Sequence, residues 1–170
     1  MPQPKVSSTL VSSGFLARFI FKAGATAVVA LATAGAAQAA DAIKAYELCT
    51  GADNASHVLV GTIDQAARTD VSSLHFKQTA AHSSYSWHQD PEPQYVMTLS
   101  GTLAFSTKTD EKFTLHPGEV LLAKDNSGSG HRWKLVDDQP WRRGYVVLKP
   151  GAKDSFVPND PEAAKVCAAL

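Results

Sequence analysis

Short apolar runs separated by turn residues occupy most of the chain between residues 57 and 148. Glycine, proline, aspartate and serine cluster between these runs, as they do between β-strands. Evenly spaced short strands of this kind are typical of an antiparallel barrel or sandwich, so the predicted fold class is all-β. Strands are predicted at 57–60, 73–78, 94–100, 102–107, 112–115, 119–123, 131–136 and 142–148.

Four turn or loop signals set the connections between these strands. Ser100-Gly101 predicts a tight hairpin, and Pro117-Gly118 predicts a turn because proline presets φ and glycine accepts a positive φ. Residues 125–130 contain glycine, serine and asparagine and nothing that can pack, so they are predicted to form a loop. Residues 42–48, ahead of the first strand, are expected to form one or two helical turns.

Alternation of side chains along a strand assigns the faces of the segment that begins at His131. His131, Trp133 and Leu135 share one face, and the charged Arg132 and Lys134 share the other. His131 is therefore predicted to point into the barrel together with Trp133.

The same reasoning applies to the stretch before the strand at 94–100. His88 and Asp90 point the same way if that stretch is extended. Pro91 and Pro93 interrupt it and are expected to turn the chain back towards Gln94.

Charge is distributed unevenly along the chain. Lys5, Arg18 and Lys22 are the only charged residues of 1–39, so the remaining 13 basic residues face all 16 acidic ones, a balance of −3. A mildly acidic body without a basic stripe argues against a nucleic-acid partner. The basic start, the small apolar run 23–37 and Ala37-Gln38-Ala39 predict a signal peptide over 1–39. A run this short argues against a permanent membrane anchor, so the mature chain is expected to be periplasmic or secreted.

Two cysteines remain after that segment, one near each end of the mature chain. In an oxidising compartment, Cys49 and Cys167 can form a disulfide that ties down both tails, or they can remain two unpaired small side chains. Neither lies near the histidines in sequence, so thiolate chemistry is not expected at the candidate site.

Two stretches resemble the conserved motifs of cupins. The first reads His88-Gln89-Asp90, three residues, Gln94, six residues, Gly101, and the second reads Pro117-Gly118, the glycine-rich loop and His131. The leading glycine of the first motif is not at its usual place, and Leu135 stands where the second motif has asparagine. The resemblance spans roughly 74–148. It implies a cupin-type, jelly-roll-like β-barrel, with 40–170 as a single domain and its core at 56–150.

Cupins typically hold a divalent metal with three histidines and one glutamate. His88 and His131 match two histidine positions, whereas Asp90 replaces a histidine and Gln94 replaces the glutamate. The implied cofactor is one divalent transition metal (Fe, Mn, Ni, Cu or Zn), and two histidines with one carboxylate suit non-haem Fe(II). Alternatively Asp90 caps the proline-rich turn, leaving His88, Gln94 and His131 as ligands. A third alternative is a metal-free polar pocket.

Further residues have candidate roles around this site. Trp87, Trp133 and Tyr145 line a ligand pocket or belong to the core. Glu92 is a candidate general base at the barrel mouth, and Asp125 either caps the loop or accepts a hydrogen bond from His131. The remaining histidines are expected to be surface or strand residues: His57, His75, His82 and His116.

The expected function is that of an exported small cupin with one metal and a small organic ligand. If it is an enzyme, the resemblance implies oxygenase, isomerase or lyase chemistry on a chelating substrate. The alternative is a binding or sensing module without turnover, with or without metal. A homodimer is expected because many cupins pair through the barrel edge. The fold alone does not choose between these functions.

Overall fold

The computed structural model describes residues 41–167, so the predicted signal peptide at 1–39 lies outside the described residues. Among those residues no helix has the length and apolar character needed to cross a membrane. A short 3-10 helix, Ala163–Val166, follows the last strand. The strands are β1 (Lys44–Thr50), β2 (Ser56–Ile63), β3 (Val71–Thr79), β4 (Ser84–His88), β5 (Gln94–Ser100), β6 (Leu103–Thr107), β7 (Lys112–Leu115), β8 (Val120–Lys124), β9 (His131–Leu135), β10 (Trp141–Leu148) and β11 (Phe156–Pro158).

The strands form two sheets whose order is that of a jelly roll. The larger sheet has seven strands in the order β11-β2-β1-β8-β5-β10-β3, and the smaller has four in the order β4-β9-β6-β7. From β3 to β10 the chain crosses between the sheets at every connection except β6 to β7, in the manner of two Greek keys, and every pair among these strands is antiparallel. The predicted all-β, jelly-roll-like class is confirmed.

The core lies between the sheets and follows the predicted alternation. On β9, His131 and Leu135 are buried and Trp133 is half-buried, whereas Arg132 and Lys134 are exposed, as predicted. This inner face packs against the inner face of the larger sheet. Side chains from both sheets form this central cluster: Tyr46, Leu48, Val96, Leu103, Phe105, Phe113, Leu115, Leu121, Ala123, Leu135 and Trp141.

Strand β1 corrects the expectation of helical turns at 42–48. It lies between β2 and β8 in the larger sheet, and all of its residues after Lys44 are buried. A strand buried on both faces has a nearly continuous apolar sequence, which periodicity does not distinguish from a buried helical segment. Strand β1 also pairs with β8 in parallel, so the larger sheet is mixed and not purely antiparallel. The barrel core thus begins ahead of the range 56–150.

The outer face of the larger sheet is covered by the chain after β10. Tyr95, Leu122 and Leu148 form a second buried cluster there, with Phe156 of β11 packed against it. The hydroxyl of Tyr95 accepts a 2.5 Å hydrogen bond from the backbone N–H of Ser155. This contact joins the C-terminal segment to the middle of the sheet.

An ion-pair network reinforces the same contact. Lys124 Nζ lies 2.7 Å from Glu47 Oε1 and 3.1 Å from Asp154 Oδ2. Burial raises the pKa of Glu47, and the ammonium of Lys124 opposes that rise. Lys124 therefore provides the charge that keeps a buried carboxylate of β1 ionised.

Lys124→Ala is expected to lower the free energy of unfolding by about 2–4 kcal/mol at pH 7.5, because it leaves the Glu47 charge buried without a partner. The value is at the lower end for buried pairs because the Lys124 side chain is 36% exposed. Without Lys124, the pKa of Glu47 in the folded state rises further above its unfolded value. The loss of stability should then be small at pH values below the unfolded-state pKa of Glu47, where the carboxyl is protonated. It should grow as the pH rises through the folded-state pKa of Glu47.

Urea unfolding of the two proteins at several pH values measures this effect. The matched control is the double variant Lys124→Met with Glu47→Leu, which removes both charges and should recover most of the stability. A loss in Lys124→Ala that does not depend on pH would contradict the assigned role of Glu47.

Candidate functional site

Two histidines face each other at one end of the smaller sheet. His88 ends β4, His131 begins β9, and the two are directly paired across the strands. Their ring centroids are 4.3 Å apart with the rings tilted by 59°. His131 is buried and His88 is half-buried, so the pair spans the boundary between the barrel core and its mouth.

Glycine at position 130 permits this close approach. Gly130 has a φ of 71°, and a Cβ at this position would clash with the carbonyl oxygen of His88. Only glycine combines that backbone conformation with that proximity at no steric cost. The glycine-rich loop thus places His131 directly beside His88.

A hydrogen bond fixes the Nδ1 atom of each imidazole. His131 Nδ1 donates to Asp125 Oδ2 at 2.9 Å, and His88 Nδ1 donates to the carbonyl oxygen of Ser86 at 2.7 Å. Because both acceptors lack a proton to give, Nδ1 carries the hydrogen in each ring when the ring is neutral. Nε2 is then the atom free to act as a ligand or as a base.

Asp90 and Gln94 lie next to the histidine pair. Gln94 begins β5, is 5% exposed, and donates from Nε2 to Asp90 Oδ1 at 3.3 Å. Asn126 donates to the backbone carbonyl of Asp90 at 3.1 Å, which ties the turn to the loop. No turn amide is bonded to the Asp90 side chain in the described residues, so the capping alternative is not observed.

A second carboxylate belongs to the same cluster. Ligand atoms of Asp90, Asp125 and His131 all lie within 4.8 Å of one another. Asp90 Oδ2 and Asp125 Oδ1 are buried, and neither has a hydrogen-bond partner. Two buried, unsatisfied carboxylate oxygens beside an imidazole are costly unless a cation or a proton lies between them.

The pKa values of the cluster reflect this crowding. Burial raises the pKa of Asp90 to about 7; the positive charge of His131 opposes the rise, and the nearby Asp125 carboxylate adds to it. Burial lowers the pKa of His131, but the hydrogen bond and charge of Asp125 outweigh burial and raise it overall. Burial lowers the pKa of His88. The cluster therefore attracts positive charge, while His88 stays neutral and able to ligate.

The four sequence-predicted ligand residues lie next to one another, but the donor atoms within 4.8 Å of one another are those of Asp90, Asp125 and His131 and do not include His88. His88, Asp90, Gln94 and His131 form one connected group at the end of the barrel. Asp125 is fully buried and accepts from His131, so of its two predicted roles the structure has the hydrogen bond to histidine. Glu92 is exposed in the turn before β5.

The three predicted pocket aromatics do not share one surface. Trp133 is on the inner face of β9, whereas the Trp87 ring lies 4.9 Å from the guanidinium of Arg132, on the outer face. Trp87 is adjacent to the inward His88 and so takes the outer face, whereas an irregularity in the pairing of β4 and β9 between Tyr85 and His88 turns Tyr85 inward as well. Tyr85 takes the inner position: its ring is 4.4 Å from that of His88 and 6.0 Å from that of Trp133.

Tyr145 lies on the inner face of β10. Its ring is stacked on His75 with centroids 4.9 Å apart, and its hydroxyl accepts a 2.7 Å hydrogen bond from Arg143 Nε. Of the other histidines, His57 lies between Asp53 and Glu111, and His82 and His116 are exposed. None of these belongs to the Asp90 cluster, as predicted.

A groove of about 720 Å³ lies away from this cluster, across the outer face of the smaller sheet. Its polar lining comes from the outward positions of the four strands: Ser84, Ser86, Ser106, Lys112, Thr114, Arg132 and Lys134. His88 and His131 point to the opposite face of the same sheet. The groove and the ionisable cluster are therefore separate features, and the chemistry is assigned to the cluster because the buried, unsatisfied carboxylates are there.

Comparison with known proteins gives only partial likenesses. No protein-family model and no curated protein matches the chain. A double-stranded beta-helix domain protein from Klebsiella pneumoniae is 16% identical, over 59% of this chain and 85% of its own, with a TM-score of 0.38. A cupin-2 domain protein from Shewanella frigidimarina is 15% identical, over 51% and 84%, with a TM-score of 0.33. The cupin domain of Drosophila melanogaster CENP-C is 12% identical, over 58% and 68%, with a TM-score of 0.35.

No conclusion about ligand or activity follows from likenesses this distant. The fold assignment depends on the chain's own strand order, with β3, β10, β5 and β8 opposite β4, β9, β6 and β7. The two motif segments meet at the end of that barrel, where His88 pairs with His131. The chain therefore has a double-sheet jelly-roll fold, and the two segments that resemble cupin motifs lie together at one end of it.

Proposed function

We propose that this cupin binds one divalent transition metal through Nε2 of His88, Nε2 of His131 and the carboxylate of Asp90. The observation that carries the proposal is the way both imidazoles are held. Each donates its Nδ1 hydrogen to a fixed acceptor, Asp125 or the Ser86 carbonyl, which is how metal-binding histidines are usually oriented. Asp90 supplies a buried oxygen without a partner beside them.

The donor set fits such an ion. Two imidazoles and one carboxylate with open positions suit non-haem Fe(II), and imidazole also suits Zn, Cu and Ni. A carboxylate whose pKa is about 7 in the absence of metal would release its proton when a dication binds. Gln94 completes the shell through its own oxygen or acts on Asp90 through the hydrogen bond from Nε2.

The surrounding residues have separable roles in binding a small organic molecule. Asp125 holds the tautomer of His131, and Gln94 holds Asp90 in place. Tyr85, which is 54% exposed, and Trp133 form an aromatic surface beside His88. A bound metal would supply Lewis-acid polarisation or oxygen chemistry to a chelating substrate. Oxygenase, isomerase or lyase activity is the catalytic form of this proposal.

Export to the periplasm or the medium is part of the same proposal. The disulfide between Cys49 and Cys167 supports it, because structural disulfides persist in oxidising compartments. The signal-like segment at 1–39 has the composition and the cleavage pattern of an export signal. The homodimer stays a prediction.

A metal-free binding module is the second candidate function. It is favoured by the elevated pKa of Asp90, because a proton on the Asp90 carboxyl can take the place of a metal ion. The barrel would then bind its small organic ligand through a polar, partly protonated cluster without turnover.

Elemental analysis of the untagged protein, purified without chelators, separates the two candidates. We expect close to one equivalent of a transition metal, or its recovery after chelator treatment and reloading with Fe, Mn, Ni, Cu or Zn, with a rise in melting temperature. Less than about a tenth of an equivalent after reloading would exclude the metal proposal and leave the binding module.

A further inference from the structure

Arg143 is a buried cation on the inner face of β10. The residue is 2% exposed, and its guanidinium lies 3.6 Å from the centre of the Trp141 ring. Nε donates to the hydroxyl of Tyr145 at 2.7 Å, and Nη1 donates to Thr79 Oγ1 at 3.0 Å and to the Trp141 carbonyl at 3.4 Å. All three acceptors are neutral oxygens.

No carboxylate forms an ion pair with Arg143 within residues 41–167. A charge removed from water without a counter-ion is costly, and an arginine does not avoid the cost by losing its proton. Burial lowers the pKa of Arg143, because removal from water disfavours the charged form of the guanidinium. Cation–π attraction to the Trp141 and Tyr145 rings offsets part of this desolvation cost.

The remaining nitrogen of the Arg143 guanidinium is Nη2. It donates none of the hydrogen bonds found for Arg143, and it is not among the fully enclosed polar atoms without partners. It therefore reaches accessible space and has two N–H groups to offer a ligand.

The neighbouring edge strand adds a second positive charge and no acid. Lys77 on β3 is directly paired with Arg143, so both side chains lie on the same face of the sheet. Lys77 is exposed and, within the described residues, has no ion-pair partner. The sequence of β3, Val71 to Thr79, contains no aspartate or glutamate. Among the described strands β3 is the last of the larger sheet and pairs with β10, so its other edge lies open beside this pair.

We propose that Arg143 and Lys77 form a binding site for the carboxylate or phosphate group of a small anion. Arginine suits such a group because its planar N–H groups match two oxygens at once, and Lys77 would attract the anion at the open edge. The Tyr145 hydroxyl and Thr79 hold the guanidinium in position from the other side.

The site is distinct from the histidine cluster. On β5 the partner of Arg143 is Thr98, whereas the cluster residue Gln94 begins that strand and is paired with Val147. Along β10, Tyr145, which is paired with Val96 of β5, lies between Arg143 and the level of Gln94. The anion site can therefore be tested without metal, and its failure leaves the metal proposal untouched.

Binding is measured on the full protein after chelation and dialysis, by calorimetry and by melting temperature. Malonate serves as the carboxylate probe and inorganic phosphate as the phosphate probe. The effect of each is compared with that of sodium chloride at the same ionic strength. We expect one of the two probes to raise the melting temperature well beyond chloride. Arg143→Met should weaken its binding by about tenfold or more, and Lys77→Met by about threefold.

Arg142→Met is the matched control, because Arg142 is exposed on the other face of β10 and donates to Gln78. It should bind the probe like the wild type. If Arg143→Met does not fold, the proposal is still tested by the affinity of Lys77→Met for the probe and by the comparison of probe with chloride in the wild type. The proposal is overturned if neither probe exceeds chloride in the wild type, or if Lys77→Met and Arg142→Met bind alike. A purely structural Arg143 would lower stability without any dependence on the anion.

Discussion

His131→Ala is expected to lower the affinity for a divalent transition metal by at least about 100-fold and so to abolish stoichiometric binding. The substitution removes the buried imidazole that lies within 4.8 Å of both Asp90 and Asp125. It also leaves Asp125 buried without the hydrogen bond that His131 supplies. Equilibrium dialysis with elemental analysis measures the remaining metal per chain.

His116→Ala is the matched control, because this histidine is exposed in the turn before β8 and lies outside the cluster. Its metal content should equal that of the wild type. Asp125→Asn should fall between the two, with affinity lowered about 10–100-fold, since the amide holds the imidazole less well than the carboxylate does. Wild-type stoichiometry in His131→Ala would contradict the site.

Asp90→Asn decides which residues complete the shell. If Asp90 is the anionic ligand, the variant should bind metal about as poorly as His131→Ala, because the remaining donors are neutral. If Asp90→Asn binds like the wild type while His131→Ala does not, the ligands are His88, Gln94 and His131. The Asp90 carboxylate would then act only through its hydrogen bond with Gln94.

Most of the jelly roll could be predicted from the sequence because its strands are half-buried. In β9, charged Arg132 and Lys134 alternate with buried or half-buried residues, so the sequence predicts both the strand and its inner face. Strand β1 gives no such signal, since Tyr46, Glu47 and Leu48 are all buried. One partner, β8, is distant in sequence, so no local turn marks that pairing, whereas the turn at 51–55 joins β1 to its other partner, β2.

Residues of the candidate site could be predicted where motif spacing in the sequence indicates them, but not where their position depends on side-chain packing. The motif spacing indicated His88, Asp90, Gln94 and His131, which lie next to one another, although the donor atoms within 4.8 Å of one another belong to Asp90, Asp125 and His131. Asp125 precedes a loop rich in glycine and serine, where an aspartate is typically a cap, so its burial against His131 was only one of two interpretations. Trp87 lies outward because it alternates with His88, and Tyr85 lies inward because of a local irregularity that alternation alone does not reveal.

Arg143 was missed for a related reason. In sequence it is one of two adjacent arginines of a strand that runs into apolar residues, and either could have been the exposed one. Arg142 is exposed and Arg143 is buried against Trp141. Neither charge nor spacing signals that difference, because the stabilising contacts come from Thr79 on another strand and from aromatic rings.

Replacing both cysteines, Cys49→Ser with Cys167→Ser, is expected to lower the free energy of unfolding by about 3–5 kcal/mol. The bridge joins residues 118 positions apart in sequence, so it encloses almost the whole barrel. Cross-linking so long a loop removes much of the conformational entropy of the unfolded chain, although how far the gain is entropic depends on the denatured state. Cys49 is also 3% exposed at the end of β1, so serine there adds a buried hydroxyl.

Urea unfolding of the oxidised wild type, the reduced wild type and the double variant measures the contribution of the bridge. The reduced wild type should lose most of the same free energy, and the variant Cys49→Ala with Cys167→Ser should match it without the buried hydroxyl. If the reduced and oxidised wild types unfold at the same urea concentration, the bridge does not stabilise the fold. Two titratable thiols in the unfolded, unreduced protein would show that no bridge forms, and would also remove the main structural support for export to an oxidising compartment.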